Sequence, residues 1–152
     1  MKDRVGIPEG YSDLMERLRR DDREGVFDTN QKTLMFAAAV GWATARDEVD
    51  LTEQVPSKTG DSIRLDIFRT ADDLPFLDAL AVDREDDLKV MSDERQPDRI
   101  TLFEQYAAAG LAKMRHYCIE DNPDSLLDGL IRLMTDLDRE AGGDLPGLDG
   151  VF

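Results

Sequence analysis

The segment from Gly25 to Arg46, GVFDTNQKTLMFAAAVGWATAR, restricts the fold more than any other part of the chain. Between Leu34 and Ala45 the only polar residue is Thr44, and Leu34, Ala38, Trp42 and Ala45 fall on one helical stripe with Met35 and Ala39 beside it. So many apolar positions predict a central helix wrapped by protein on nearly every side, with the lone tryptophan in the core. Asp28 followed by Gln31 has capping-box spacing and sets the expected start near Asp28. The run is shorter than the about 20 apolar residues that cross a bilayer. Its alanines and Gly41 leave room for a second helix to approach closely. A cofactor could use such a small-residue face, but core packing explains it more simply.

A chain of 152 residues buries roughly two thirds of its unfolded surface as one domain. Apolar residues make up 41% and charged residues 35%, enough of both for a folded core under a highly charged surface. The net charge of -15, from 34 acids against 19 bases, disfavours a nucleic-acid surface. Aspartate outnumbers glutamate and arginine outnumbers lysine, the pattern of a halophilic, salt-adapted exterior, which makes the acidity an adaptation before it is a function. The single Cys118 has no internal disulfide partner, and the sequence carries no recognisable signal peptide or transmembrane run, so cytoplasm is the expected location.

The remaining apolar spacing predicts a mainly α fold: a compact single-domain bundle of about five helices over residues 1–141, with room for a short β pair and a flexible tail over 142–152. Val5 and Ile7 alternate in an N-terminal arm that suits pairing with Ile63, Leu65 and Ile67, although Ile63, Ile67 and Phe68 also fit one helical face. Tyr11, Leu14, Met15 and Leu18 define a first helix reaching about Asp22. After the central helix, Asp47 to Asp61 reads as a polar surface connection. Asp72 or Asp73 is placed to cap a third helix carrying Leu74, Phe76, Leu77, Leu80 and Ala81, with Pro75 in its first turn. Pro97 opens a long fourth helix, expected to run to about Ile119, on Ile100, Phe103, Tyr106, Ala107, Gly110, Leu111, Met114, Tyr117 and Cys118. Asn122 and Pro123 are expected to start a fifth, whose apolar set is Leu126, Leu127, Leu130, Ile131, Met134 and Leu137.

Catalytic and metal-binding residues are not identified, and no cofactor is expected. His116 is the only histidine, and with Cys118 it offers at most two ligands where structural zinc takes four. Two residues apart on a helix, they also point in different directions. The carboxylates of Asp72-Asp73, Asp83 to Asp87 and Asp136 with Asp138 could meet Mg²⁺, but no calcium-loop, phosphate-loop or hydrolase spacing is present. The chain therefore leans away from enzyme chemistry. Residues 1–70 hold 11 bases and 14 acids, net -3, and residues 71–152 hold 8 and 20, net -12. Any anionic partner is better suited to the first half, where Arg17, Arg20, Arg23, Arg46, Arg64 and Arg69 are the candidate nucleic-acid contacts.

Taken together, GVFDTNQKTLMFAAAVGW, SIRLDIF, PFLDALAV and LKVMSDERQPDRITLFEQYAAAGLAKM resemble the small Dnd-system-associated proteins encoded beside DNA phosphorothioation genes, the fourth such accessory family. The likeness covers roughly residues 4–135 and lies in the order and spacing of apolar landmarks. It implies an accessory component of an antiviral modification or restriction system that places sulfur in the DNA backbone or restricts unmodified DNA. It implies no catalytic residue. Its expected partners are the other proteins of that system, with DNA and a second copy of the chain as further candidates and no membrane. The alternatives are a helical oligomerisation or scaffold module without DNA contact and, behind it, a metal-dependent nuclease or hydrolase.

Overall fold

Two helices with glycine at their crossing form the centre of the molecule: α2 (Asn30–Ala45) and α5 (Gln96–Arg115). A Cβ at Gly41 would lie 1.9 Å from the Tyr106 carbonyl oxygen, and one at Gly110 would lie 1.7 Å from that of Ala37. Each helix thus rests on the other's backbone at a residue without a side chain. Leu34, Ala37, Ala38, Ile100, Phe103, Tyr106, Ala107 and Leu111 fill the seam. The Tyr106 hydroxyl donates to the Arg46 carbonyl at 3.0 Å, closing the end of α2.

This computed structural model describes residues 1–20, 25–49 and 54–142. In chain order the elements are β1 (Arg4–Pro8), α1 (Ser12–Leu18), α2, β2 (Ser57–Arg64), α3 (Leu65–Thr70) and α4 (Leu74–Glu85). Two short 3₁₀ turns, Leu88–Met91 and Asp93–Arg95, lead into α5. A π turn, His116–Glu120, extends it, and α6 (Leu126–Gly142) follows. The architecture is the expected helical one, with six α-helices and a two-stranded antiparallel sheet among the described residues. Pro75 and Pro97 both sit in first turns, as their spacing predicts. Of the tail expected over residues 142–152, Gly142 is the last residue of α6 and 143–152 lie outside the described residues, as does Arg23.

Several local expectations are corrected. Thr29, not Asp28, caps α2: its hydroxyl accepts the Lys32 N–H at 3.2 Å, while Asp28 pairs with Arg20 at 3.3 Å. Trp42 is 41% exposed. The buried stripe runs through Leu34, Ala37, Ala38 and Gly41, and a residue one step beyond Gly41 is turned about 100° away from the seam. An indole could not occupy that seam, because the Tyr106 backbone already lies against Gly41.

Helix α1 stops at Leu18, short of Asp22, where Arg19 becomes extended and the Val26 and Phe27 N–H groups both donate to the Leu18 carbonyl. The polar connection after α2 gives way to strand at Ser57, and its residues 50–53 lie outside the described ones. Val5 faces Ile63 in the sheet as expected, but Leu65 and Ile67 belong to α3. Pairing ends at Arg4 and Arg64, and α3 buries Leu65 and Phe68 at helical spacing. Phe68 then meets Phe103 edge-on, with ring centroids 5.7 Å apart. Helix α6 begins at Leu126, where the Ser125 hydroxyl accepts the Asp128 N–H at 3.1 Å; Asn122 takes a left-handed conformation (φ 49°) before it.

Candidate functional site

Of the arginines singled out in the sequence, Arg17, Arg20, Arg46, Arg64 and Arg69 lie among the described residues, and four of these five face carboxylates. Arg64 and Arg69 approach Asp66 from either side, each at 3.2 Å. With Asp66 in its lining, Arg64 borders an open groove of about 420 Å³ that also includes Gln31, Ile67, Thr70 and Ala71. Arg46, just beyond α2, holds Asp83 at 2.7 Å and Asp47 at 3.2 Å. Its hydrogen bond, followed by that of the Trp42 indole at 2.8 Å, holds the Asp83 carboxyl below the usual carboxylate range. Arg20 pairs with Asp28, and Arg17 lines a recess with Cys118, Asn122 and Ser125. Carboxylates thus already partner Arg20, Arg46, Arg64 and Arg69.

Cys118 and Tyr117 are engaged in contacts between the π turn and α6. Burial pushes the Cys118 thiol up to about 11, and its S–H donates to the Leu126 carbonyl at 3.6 Å. His116 lies on the exposed surface, 3.2 Å from Glu120 and edge-on to the Tyr117 ring. Tyr117 donates to Asp136 at 2.5 Å, which is the main reason its phenol is pushed up to about 12. Among the described residues no three His, Cys, Asp or Glu side chains gather where they could hold a metal ion.

Two buried charged residues were not singled out from the sequence. Glu104, 3% exposed, accepts from Lys2 at 2.5 Å and from the Gly6 N–H at 2.6 Å, tying β1 to α5. Arg99 is 8% exposed and donates to the Val90 and Ser92 carbonyls at 2.7 and 2.8 Å and to Asp78 at 3.2 Å. Burial raises the Asp78 carboxyl in spite of Arg99 beside it. The signal available in the sequence was a charge interrupting the apolar stripe of α5. The partners themselves lie as many as 102 residues away.

What α6 offers is a surface. Leu126, Leu130 and Leu133 are buried, and Gly129 lets the helix close on the π turn, where a Cβ would lie 2.6 Å from the Tyr117 carbonyl oxygen. Leu127, Ile131 and Met134 are 50%, 51% and 53% exposed, so the apolar set of this helix divides into a buried and an exposed stripe. Their spacing of four and three residues makes a continuous ridge, turned roughly 90° from the buried stripe. Asp128, Arg132 and Arg139 are exposed along its polar flank, and Asp124, just before the helix, is exposed as well.

Among the described residues no helix is long and apolar enough to cross a membrane. Neither a curated protein nor a solved structure matches the chain. The family described as DNA sulphur modification system-associated protein 4 matches residues 4–144, nearly the whole length over which β1, the α2–α5 crossing and α6 are built, and the chain belongs to that family.

Proposed function

We propose that this chain is a non-enzymatic accessory subunit of a DNA phosphorothioation-linked modification or restriction system, acting in the cytoplasm through contacts with the system's other proteins and with DNA. Family membership supplies the system. The single observation that carries the mode of action is the α6 ridge: three large apolar side chains, each about half exposed, aligned on one helix of a chain with net charge -15. Such a ridge gains free energy when another protein surface covers it. Arg17, Arg20, Arg23, Arg46, Arg64 and Arg69 are the candidate DNA contacts, and the carboxylates already on four of them mean that DNA binding has to displace or tolerate those ion pairs.

A scaffold without DNA contact is the second reading, favoured by those same ion pairs. Co-expression of the tagged chain with the proteins of its own system tests the protein contacts: co-purification is expected, and Ile131→Glu is expected to abolish it. Retention of the partners by that variant would remove the ridge from the proposal. Gel-shift titration across a salt series separates the two readings. Binding at low salt that weakens steeply as salt rises supports DNA contact, and no shift at low salt with the protein folded supports the scaffold.

A further inference from the structure

We infer that the α6 ridge is covered by α6 of a second copy of this chain, the two helices running antiparallel about a two-fold axis close to Ile131. This inference rests on the ridge being a protein-contact surface, as proposed above, and names its occupant.

The flank charges favour a second copy. Asp128 lies in the first turn of α6, with Asp124 just before the helix, and Arg132 and Arg139 lie further along the same polar flank. All four are exposed, and none makes an ion pair within the chain among the described residues. A two-fold interface brings one patch against itself, so the patch must be self-complementary. An antiparallel two-fold pair sets the acidic half of each flank against the basic half of the other, whereas a parallel two-fold pair places the two flanks on opposite sides of the seam, where they do not meet. A uniformly basic or acidic partner would satisfy only half of the flank.

Charge and shape agree on the register. Leu127 opposite Met134 of the partner subunit, Ile131 opposite Ile131 of the partner subunit, and Asp128 opposite Arg132 of the partner subunit all place the axis within one residue of Ile131. Asp138, one turn beyond Met134, ends the apolar run and limits the interface to about two turns. Three half-exposed side chains and their flanks fall well below the roughly 800 Å² per partner of a standard complex. The dimer is accordingly reversible and concentration-dependent.

Sedimentation velocity of the full chain from about 10 μM to about 1 mM tests this, over the range where small interfaces dissociate. The dimer fraction is expected to rise with concentration, and Ile131→Glu or Met134→Glu to leave monomer throughout with an unchanged melting temperature. Asp128→Arg is expected to weaken association about tenfold or more, and adding Arg132→Asp to restore it, since the double exchange rebuilds opposite charges across the axis. A wild-type chain still monomeric at the highest concentration overturns the proposal, as does a dimer indifferent to Ile131→Glu or a double exchange that fails to restore pairing. The two readings fail separately. If the wild type is monomeric yet Ile131→Glu loses the system's proteins, the ridge has a different occupant and the contact reading stands; if those proteins are also retained, both are overturned.

Discussion

Adding one methyl group at Gly110 sets two effects of opposite sign against each other. Alanine is favoured over glycine inside a helix by about 1 kcal/mol, so propensity alone predicts that Gly110→Ala stabilises. The new Cβ, however, would lie 1.7 Å from the Ala37 carbonyl oxygen and 2.5 Å from the carbonyl carbon, and both are backbone atoms that no rotamer change can move. Reaching the 3.4 Å at which ordinary contact begins requires α2 and α5 to part by more than about 1 Å at the crossing. Overpacking of this kind costs about 1–3 kcal/mol, occasionally more. A radial gap of up to about 1 Å forfeits a quarter to a half of each dispersion contact it opens, here along Leu34, Ala38, Phe103 and Tyr106. After the gain in propensity, the expected result is net destabilisation of about 2 kcal/mol or more, or roughly 4–8 °C in melting temperature for a domain of this size. Urea unfolding followed by far-ultraviolet circular dichroism measures it. Gly41→Ala, with its Cβ 1.9 Å from the Tyr106 carbonyl oxygen, is expected to behave alike. A Gly110→Ala protein as stable as wild type would refute the close crossing.

Further outcomes follow from the same contacts. Trp42→Ala is expected to cost about 1 kcal/mol, the scale of one hydrogen bond, instead of the roughly 3–5 kcal/mol of a core aromatic truncation; a loss in the higher range by thermal unfolding would return the indole to the core. Arg99→Leu leaves Asp78 and the Val90 and Ser92 carbonyls without their donor and is expected to destabilise by about 3 kcal/mol, checked by urea midpoint; a loss below about 1 kcal/mol would show that water replaces the guanidinium freely. Tyr117 has a folded pKa of about 12 against an ordinary 10, so its neutral phenol stabilises the fold below about pH 10 and that contribution is lost as pH rises through 12. Tyr117→Phe is expected to lose less stability than wild type between pH 10 and 12; parallel curves in pH-dependent unfolding would remove the Asp136 hydrogen bond as the cause.

The helices that could be read from the sequence are those in which one signal dominates. In α5 the apolar spacing and Pro97 agree, in α4 Pro75 marks the first turn, and in α2 the small residues announce close packing. Errors arise where two physical solutions share one pattern. Trp42 is apolar enough for the core, but its neighbour Gly41 is the residue that meets α5, and helical geometry then turns the indole outward. Ile63, Leu65 and Ile67 alternate like a strand, yet the ladder ends at Arg4 and Arg64, the Leu65 N–H makes one last hydrogen bond to the Asp3 carbonyl, and the chain coils from Leu65 so that Leu65 and Phe68 are buried at helical spacing. Helix α6 carries two apolar stripes, and only packing against the π turn decides that Leu126, Leu130 and Leu133 face inward while Leu127, Ile131 and Met134 do not. Glu104 and Arg99 were hidden for another reason: their partners are set by tertiary structure, which local spacing does not encode.

The most direct measurement is complementation of a strain that lacks this protein, scored by DNA phosphorothioation and by restriction of unmodified DNA. If the protein works by contact, Ile131→Glu fails to restore either phenotype at wild-type abundance, while His116→Ala and Tyr117→Phe restore both. Full activity from Ile131→Glu, with loss from His116→Ala or Tyr117→Phe at normal abundance, would mean that side-chain chemistry does the work assigned here to the α6 ridge.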